Sequence, residues 1–479
     1  MSASQGKGAR GYHGSLAWRR RSRCWRLGAV VVSLLSLVAC ARSQSAAGPA
    51  SPVAPTSPTP RATALPPARV TRQAPAASPT PTSLTLTIWG PDFMAPLDEA
   101  PGGSLLASQI RAFTDAHPHW QVEYVRKRPR GQGGLVSFLQ STQGVAPQLL
   151  PDLVLIDMSE VGLLADSSLL QPLDTLLGSD LTADLVPFAH QAGRVGQHLL
   201  AVQYEADIRF LAYNSALIAQ PPATWAELAA GRLIYLLPIG SSPGAVRDAF
   251  LPQYFALGGK LADREGRPYL DQTVVAAILE VYYAARQAEL LPASGLDLED
   301  ASDCWPIYLA TSATTAGPRP VAMTNATSWD YGRDRARLAQ TRVAPLPTLS
   351  GALISLSDGW GWGLVTRDPT RQAAARDLLH WLLRPEAMAA WSEVTFHLPT
   401  RRSALPLAIK DEEYLRFLQR VMEATVPQPR EPLYTLAVEA LQPAIDGVCR
   451  GLTSPAAAAA AAAQKMRDAQ PPAGSNIQQ

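Results

Sequence analysis

Between Leu84 and Asp157 the apolar residues keep changing their period, and that alternation limits the folds open to this chain. LTLTIW (84–89) alternates as a strand and is broken by Gly90-Pro91. SLLASQIRAFTDAH (104–117) sets Leu106, Ile110 and Phe113 at helical spacing and stops at His117-Pro118. WQVEYV (120–125) alternates again, and Leu135 to Ser141 reads as a helix. DLVLID (152–157) then encloses an unbroken apolar run, as expected where a parallel strand is buried on both faces. The order β-α-β-α-β calls for an α/β layer with helices packed on a sheet.

Further along, Val161 to Leu164 with Leu169, Leu170 and Leu173 suggest a helix and turn, and 201–204 and 208–213 read as extended. Thr224 and Glu227 form a capping box at a helix start. Val274 to Glu289 is a long amphipathic helix, while 320–324, 343–346 and the Gly/Trp-rich run 356–366 read as extended. Helices are expected at 371–383, 385–394, 411–422 and 433–445. A last one begins at Ser454-Pro455 and runs through eight alanines. No internal repeat is evident, and 479 residues suggest two to three domains.

The first 83 residues belong to a different kind of chain. Arg19 to Arg26 form a basic stretch, followed by a short apolar run, LGAVVVSLLSLVA (27–39). That run is well short of the ~20 residues a membrane span needs and fits a signal peptide. It ends in Leu37-Val38-Ala39-Cys40, which resembles the bacterial lipobox. The resemblance implies cleavage before Cys40 and a diacylglycerol on its sulfur, anchoring at about 0.8 kcal/mol per buried CH₂. Residues 41–83 carry ten prolines, no aromatic and no acidic residue. Such a segment buries too little apolar surface to offset its ordering entropy, and it reads as a semi-extended linker reaching about 130 Å at roughly 3.1 Å per residue.

Charge and cysteine content exclude several classes. Residues 1–39 hold seven basic side chains and no acidic one, so the rest carries 35 basic against 40 acidic residues. An acidic chain without a basic stripe is a poor nucleic-acid binder. Beyond Cys24 and Cys40 only Cys304 and Cys449 remain, with no CxxC or Cys/His cluster for a metal. A Cys304–Cys449 disulfide stays open as one alternative. No HExxH is found, Ser, His and Asp are scattered, and no enzyme is expected.

From Leu84 to about Lys465 the order of features resembles extracellular solute-binding proteins of family 1, the maltose-binding-protein-like group. The residues that carry this are LTIWG, AFTDAHP with QVEYV, PQLLPDLVLIDMSEVGLLADSSLLQPLD, HLLAVQYEADIRFLAYNSAL, PPATWAEL, PVAMTNATSWDY, VAPLPT and DGWGWGLV before RQAAARDLLHWLL. The resemblance implies a type II periplasmic-binding-protein-like fold: two α/β lobes, each a mixed sheet flanked by helices, joined by hinge crossings. Lobe one would comprise 84–213 and 347–397, and lobe two 214–346 and 398–470. A signal peptide (1–39), a lipid-anchored linker (40–83) and a disordered tail (471–479) complete the expected organisation. The implied role is capture of a small solute, a sugar or polyol foremost, by a monomer outside the cytoplasm. Partners would be the permease and ATPase of an ABC importer, with no cofactor and no metal. A surface sensor subunit and a glycan-processing lipoprotein are the alternatives, and a glycerol-phosphate-type anion is the other ligand class.

In open α/β sheets ligands sit beyond the carboxyl ends of strands. Sugars need carboxylates for hydroxyls and aromatic rings for C–H faces. The expected ligand-binding residues are therefore Trp89, Asp157, Glu205, Asp207, Trp329, Tyr331, Asp358, Trp360 and Trp362. Each has a structural reading beside it. Trp89 suits a core, Asp157 a helix cap, Glu205 and Asp207 a hinge ion pair, and Trp329 and Tyr331 packing at a lobe edge. Trp360 and Trp362 should face the same side of an extended run. Glu160 lies just past Asp157, His397 could approach a cleft, and His380 suits packing.

Overall fold

A computed structural model describes residues 83–97, 101–312 and 320–469. Cys40, the signal peptide, the linker and the 471–479 tail lie outside the described residues.

The opening alternation builds the first sheet. Strands β1 (Leu84–Pro91), β2 (Trp120–Lys127) and β3 (Leu153–Asp157) are parallel, with β1 between the other two. A small ribbon, β4 (Arg194–Val195) with β5 (His198–Leu199), precedes β6 (Ala201–Gln203). The sheet is completed from far along the chain by β12 (Trp360–Leu364), which lies antiparallel between β3 and β6. Alternate residues of β3 serve opposite faces. Leu153 and Leu155 join a core with Leu86, Ile88 and Leu378, while Val154 and Ile156 join another with Leu135, Leu139 and Val161. Both faces are covered by helices, which is why 153–156 reads as an unbroken apolar run.

The second sheet is mixed and turns on β7 (Glu205–Asn214), its longest strand. On one side β7 pairs antiparallel with β9 (Met323–Thr327), which pairs in turn with β8 (Tyr235–Leu236). On the other it meets β11 (Ser355–Asp358), itself parallel to β14 (Thr425–Pro427). β10 (Thr341–Ala344) and β13 (Leu398–Pro399) also pair with β7. Ile208, Phe210 and Ala212 point into one core and Leu211 into the other. The expected cap is present with one partner shifted: the Thr224 hydroxyl accepts the Glu227 N–H at 3.2 Å, while the Glu227 carboxylate accepts the N–H of Ala223, one residue before the cap, at 2.7 Å. The alanine-rich helix Pro455–Asp468 packs on the helices Gln272–Gln287 and Leu433–Cys449 through Ala459, Ala463 and Met466.

Each sheet with its helices forms a lobe. One expectation shifts, and one open alternative closes. Residues 205–213 and 355–358, expected with the first lobe, pair in the second sheet, because the chain changes sheets at Tyr204 and Gly359. Cys304 and Cys449 are both buried, free thiols rather than a disulfide. Among the described residues no helix is long and apolar enough to cross a membrane.

Candidate functional site

The chain passes between the sheets at closely grouped points. Gln203 and Glu205 flank Tyr204, and Asp358 and Trp360 flank Gly359. Gln203 Nε2 bonds the Glu205 and Asp358 carbonyls at 3.1 and 3.3 Å, and the Tyr204 N–H donates to the Trp360 carbonyl at 2.8 Å. Gly359 has φ 152°, and a Cβ there would lie 2.1 Å from the Glu205 carbonyl oxygen, so glycine is required. A third passage ends in β13, where the Thr400 hydroxyl donates to the Gln203 carbonyl. These crossings set one edge of each sheet beside the other.

The first-lobe edge consists of the carboxyl ends of β1, β2 and β3 plus the start of β12, where Trp360 stands opposite Asp157. Asp157 is buried; its Oδ1 accepts the Ser159 N–H at 2.9 Å and hydroxyl at 2.7 Å, and its Oδ2 is ion-paired with Arg130. The helix-cap reading of Asp157 thus holds beside any ligand role. Arg130 is half exposed, with its guanidinium 6.0 Å from the Trp360 ring. Phe93, just past β1, meets Trp360 edge-on at 5.2 Å and is 54% exposed. Trp360 therefore sits at the rim of its core with an aromatic and a cation over it.

Trp362, two residues on, shares that side but is fully buried against Tyr204. It is a core residue, the packing member of the Trp360/Trp362 pair. Trp89 is buried on the opposite face of the sheet, 5.5 Å from Phe138 and with Lys127 Nζ 4.0 Å over its ring. That placement too is packing rather than cleft. Burial lowers the Lys127 ammonium pKa. Glu160 is buried with Oε2 unpartnered, and its carboxyl is pushed up to about 7 by burial, an effect Arg130 opposes and Glu431 adds to.

The second-lobe edge gathers the start of β7, the ends of β9 and β11, and the residue before β13. Asp207 pairs in register with Asp358, and Glu205 with Pro399. Asp207 accepts the Ser328 hydroxyl at 2.6 Å and the Trp329 N–H at 2.9 Å, fixing the first turn of the helix Ser328–Asp334. Trp329 is half-buried, with the Arg333 guanidinium 4.5 Å over its ring and the His397 ring 6.4 Å away. Glu205 is buried; Trp391 Nε1 donates to it at 2.6 Å and His397 Nδ1 lies 3.5 Å away. Burial raises the Glu205 carboxyl pKa; His397 and Trp391 oppose that, while Asp207 and Asp358 add to it.

Two further expected residues have partners within the second lobe. Tyr331 packs against Tyr414 at 5.0 Å and Phe210 at 5.9 Å, so it supports the helix rather than the cleft. Asp358 bonds Arg209 Nη2 at 2.8 Å and lies 3.9 Å from Arg247. Burial alone would raise its carboxyl pKa, but the two arginines overcome that and hold it below its usual value. Arg209 also bonds the fully buried Asp248 at 3.0 Å, and Arg247 bonds Asp248 at 2.6 Å. Sequence reading did not single out this network. The signal was Arg209 itself, a charge inside the apolar strand IRFLAY, where burial demands a partner. Phe93 and Arg130 were missed because they lie in turns with no periodic pattern.

His380 is exposed on its helix, with Nε2 3.2 Å from the Leu176 carbonyl. Among the described residues no group of three or more His, Cys, Asp or Glu is placed to hold a metal ion.

Two mixed sheets joined by adjacent crossings, with aromatic and carboxylate side chains on the facing edges, define a two-lobe solute-binding fold of the type II periplasmic class. Residues 108–415 match the family described as bacterial extracellular solute-binding protein, and the chain belongs to that family. Its members are binding proteins rather than enzymes and work outside the cytoplasm. A maltotriose-binding protein of Pyrococcus abyssi is 31% identical over 78 residues; the match spans 16% of this chain and 17% of that relative. The sugar-binding protein MalE of Xanthomonas citri superposes with a TM-score of 0.65 at 19% identity, covering 80% of this chain and 97% of that one. The cyclic α-maltosyl-1,6-maltose-binding protein of Arthrobacter globiformis gives 0.64 at 17% identity, covering 80% and 98%. At such identities the structures establish the fold.

Proposed function

We propose that the chain captures a carbohydrate, a maltooligosaccharide foremost, outside the cytoplasm and delivers it to the permease of an ABC importer. The observation that carries this reading is the pair of edges joined at the Asp358–Gly359–Trp360 crossing: Phe93, Arg130, Asp157 and Trp360 at the edge of one lobe, and Trp329 with Asp207, which pairs with Asp358, at the edge of the other. Indole and phenyl rings suit the apolar faces of sugar rings, and carboxylates and the guanidinium suit their hydroxyls. The relatives' sugar ligands agree with that chemistry. In this reading lobe one is built on the first sheet and lobe two on the second, and they close on the ligand by rotation at Tyr204, Gly359 and the 397–400 passage.

We further propose that Cys40 is lipidated and that 41–83 tethers a monomeric receptor to the membrane, as the lipobox-like LVAC and the Pro-rich composition support. Calorimetric titration with maltose, maltotriose and glycerol 3-phosphate tests the ligand class. A saturable maltotriose isotherm that weakens in Trp360→Ala and in Trp329→Ala is expected. Binding of glycerol 3-phosphate alone would replace the carbohydrate reading with an anion one.

A further inference from the structure

The second-lobe edge carries one polar group that Trp329 and Asp207 leave unexplained, the imidazole of His397. Its place is set by the turn before it. The helix Pro385–Thr395, whose Met388 and Trp391 belong to the first-lobe core, ends in Phe396 at φ 65° and ψ 3°. Glycine is the usual residue in that left-handed conformation, and a bulky side chain held there marks a position that its surroundings over-determine. Phe396 and Leu398 line a recess with Ser328, Gly332 and Arg335, one stripe of the helix that carries Trp329. His397, between them, meets the neighbouring stripe instead: its ring lies 6.4 Å from the Trp329 indole, which Arg333 also covers.

The two ring nitrogens have different surroundings. Nδ1 is sealed and lies 3.5 Å from Glu205 Oε2, yet the His397 side chain is 31% exposed, so the open part of the ring is on the Nε2 side. Glu205 is buried and held in place. It opens β7, pairs in register with Pro399, and its Oε2 accepts the Trp391 Nε1–H at 2.6 Å. An indole nitrogen only donates, so Oε2 is an acceptor. An acceptor beside Nδ1 keeps the ring hydrogen there, and a neutral imidazole with its hydrogen on Nδ1 presents a lone pair at Nε2. The group offered at this edge is therefore an acceptor for a hydroxyl, next to an indole that suits a C–H face.

We propose that His397 is a further ligand-binding residue, accepting a ligand hydroxyl through Nε2, and that Glu205 behind it is a positioning residue that fixes its tautomer. The contact rests on the sugar-binding reading. It also sharpens that reading. A site built to accept a hydroxyl hydrogen selects against ligands that lack the hydroxyl, because the acceptor is then left unpaired. For an anionic ligand the same ring would have to take up a proton and donate from both nitrogens.

The test is long-range proton–nitrogen NMR of the histidine rings in the full chain, joined to calorimetric titration with maltotriose. The His397 signals are identified by their loss in His397→Phe. In free native protein at about pH 8, Nδ1 should carry the hydrogen, and saturating maltotriose should move the Nε2 resonance upfield, as accepting a hydrogen bond does. His397→Phe keeps a ring without an acceptor, and maltotriose affinity should fall about fivefold. His397→Gln, whose amide oxygen reaches the place of Nε2, should bind within about twofold of native. Glu205→Leu should bring both tautomers into mixture and weaken binding about as much as His397→Phe, with no further loss in the double variant. Circular dichroism checks that Glu205→Leu is folded; if it is not, the native spectrum and the histidine variants decide. Hydrogen on Nε2 in the free protein, an Nε2 resonance that maltotriose leaves unmoved, or unchanged affinity in His397→Phe overturns the contact and leaves the sugar reading standing. A tautomer unchanged in folded Glu205→Leu overturns the positioning role alone. Absence of maltotriose binding to native protein overturns the sugar reading, and this contact with it.

Discussion

The two edges that face each other at the crossings hold their charges differently. On the first lobe, Arg130 meets Asp157 from a half-exposed position and also lies near Trp360, so its side chain is free to be displaced. On the second lobe, Arg209, Asp248, Arg247 and Asp358 are locked together beneath the surface, with Arg209 and Asp248 buried. Exposed ion pairs add little stability, whereas breaking a buried one leaves an uncompensated charge. The first edge is therefore built to exchange partners, and the second to stay fixed while Asp207 and Trp329 are presented from it.

The sharpest way to break that contrast is Arg209→Met. It takes from Asp248 one of its two arginines and leaves Asp358 only the 3.9 Å contact with Arg247, and urea denaturation should show a loss of about 3 kcal/mol. A loss under 1 kcal/mol would mean the network is not a unit. Trp360→Ala attacks the other edge, and calorimetry should show maltotriose affinity falling about 30-fold, roughly 2 kcal/mol, as for a central aromatic anchor. Glu160→Gln sharpens the comparison through pH. The Glu160 carboxyl stands at about 7 in the folded chain against an ordinary 4.5. The folded state therefore binds the extra proton, so this group's contribution is present at low pH and is lost as pH rises from 4.5 through 7. Native stability minus that of Glu160→Gln should fall by on the order of 2 kcal/mol between pH 4.5 and 8, measured by chemical denaturation. Taking the difference removes Asp330, which burial also pushes up, to about 6. The smallest effect belongs to Phe93→Ala. Its exposed ring should cost about 1 kcal/mol of sugar affinity and leave the unfolding midpoint nearly unchanged.

The fold was largely legible. The apolar run 153–156 announced a doubly covered strand, and the capping box at Thr224 marked a helix start that the structure keeps. The site was legible only in part, and the reason lies in β12. Period-two reasoning put Trp360 and Trp362 on one side, and they share one core. That side faces inward, and only the strand's first residue reaches the edge. Periodicity assigns a face but not which end of a strand emerges from it. Tyr331 failed for a similar cause: it follows Trp329 by two residues, but in a helix, where that spacing turns it away. Arg209 shows the opposite case, a single charge within an apolar strand that demanded a partner on other segments, Asp248 and Asp358. Those partners lie 39 and 149 residues further along the chain.

Gly359 carries a practical consequence. It leaves one residue between the end of β11 in the second sheet and the indole that opens β12 in the first. Any swing of the lobes must be taken up largely by a few backbone torsions beside Trp360, so the dihedral setting there and the lobe angle change together. The share of emission that disappears in Trp360→Phe should therefore follow the domain angle, readable in stopped flow without attaching a dye.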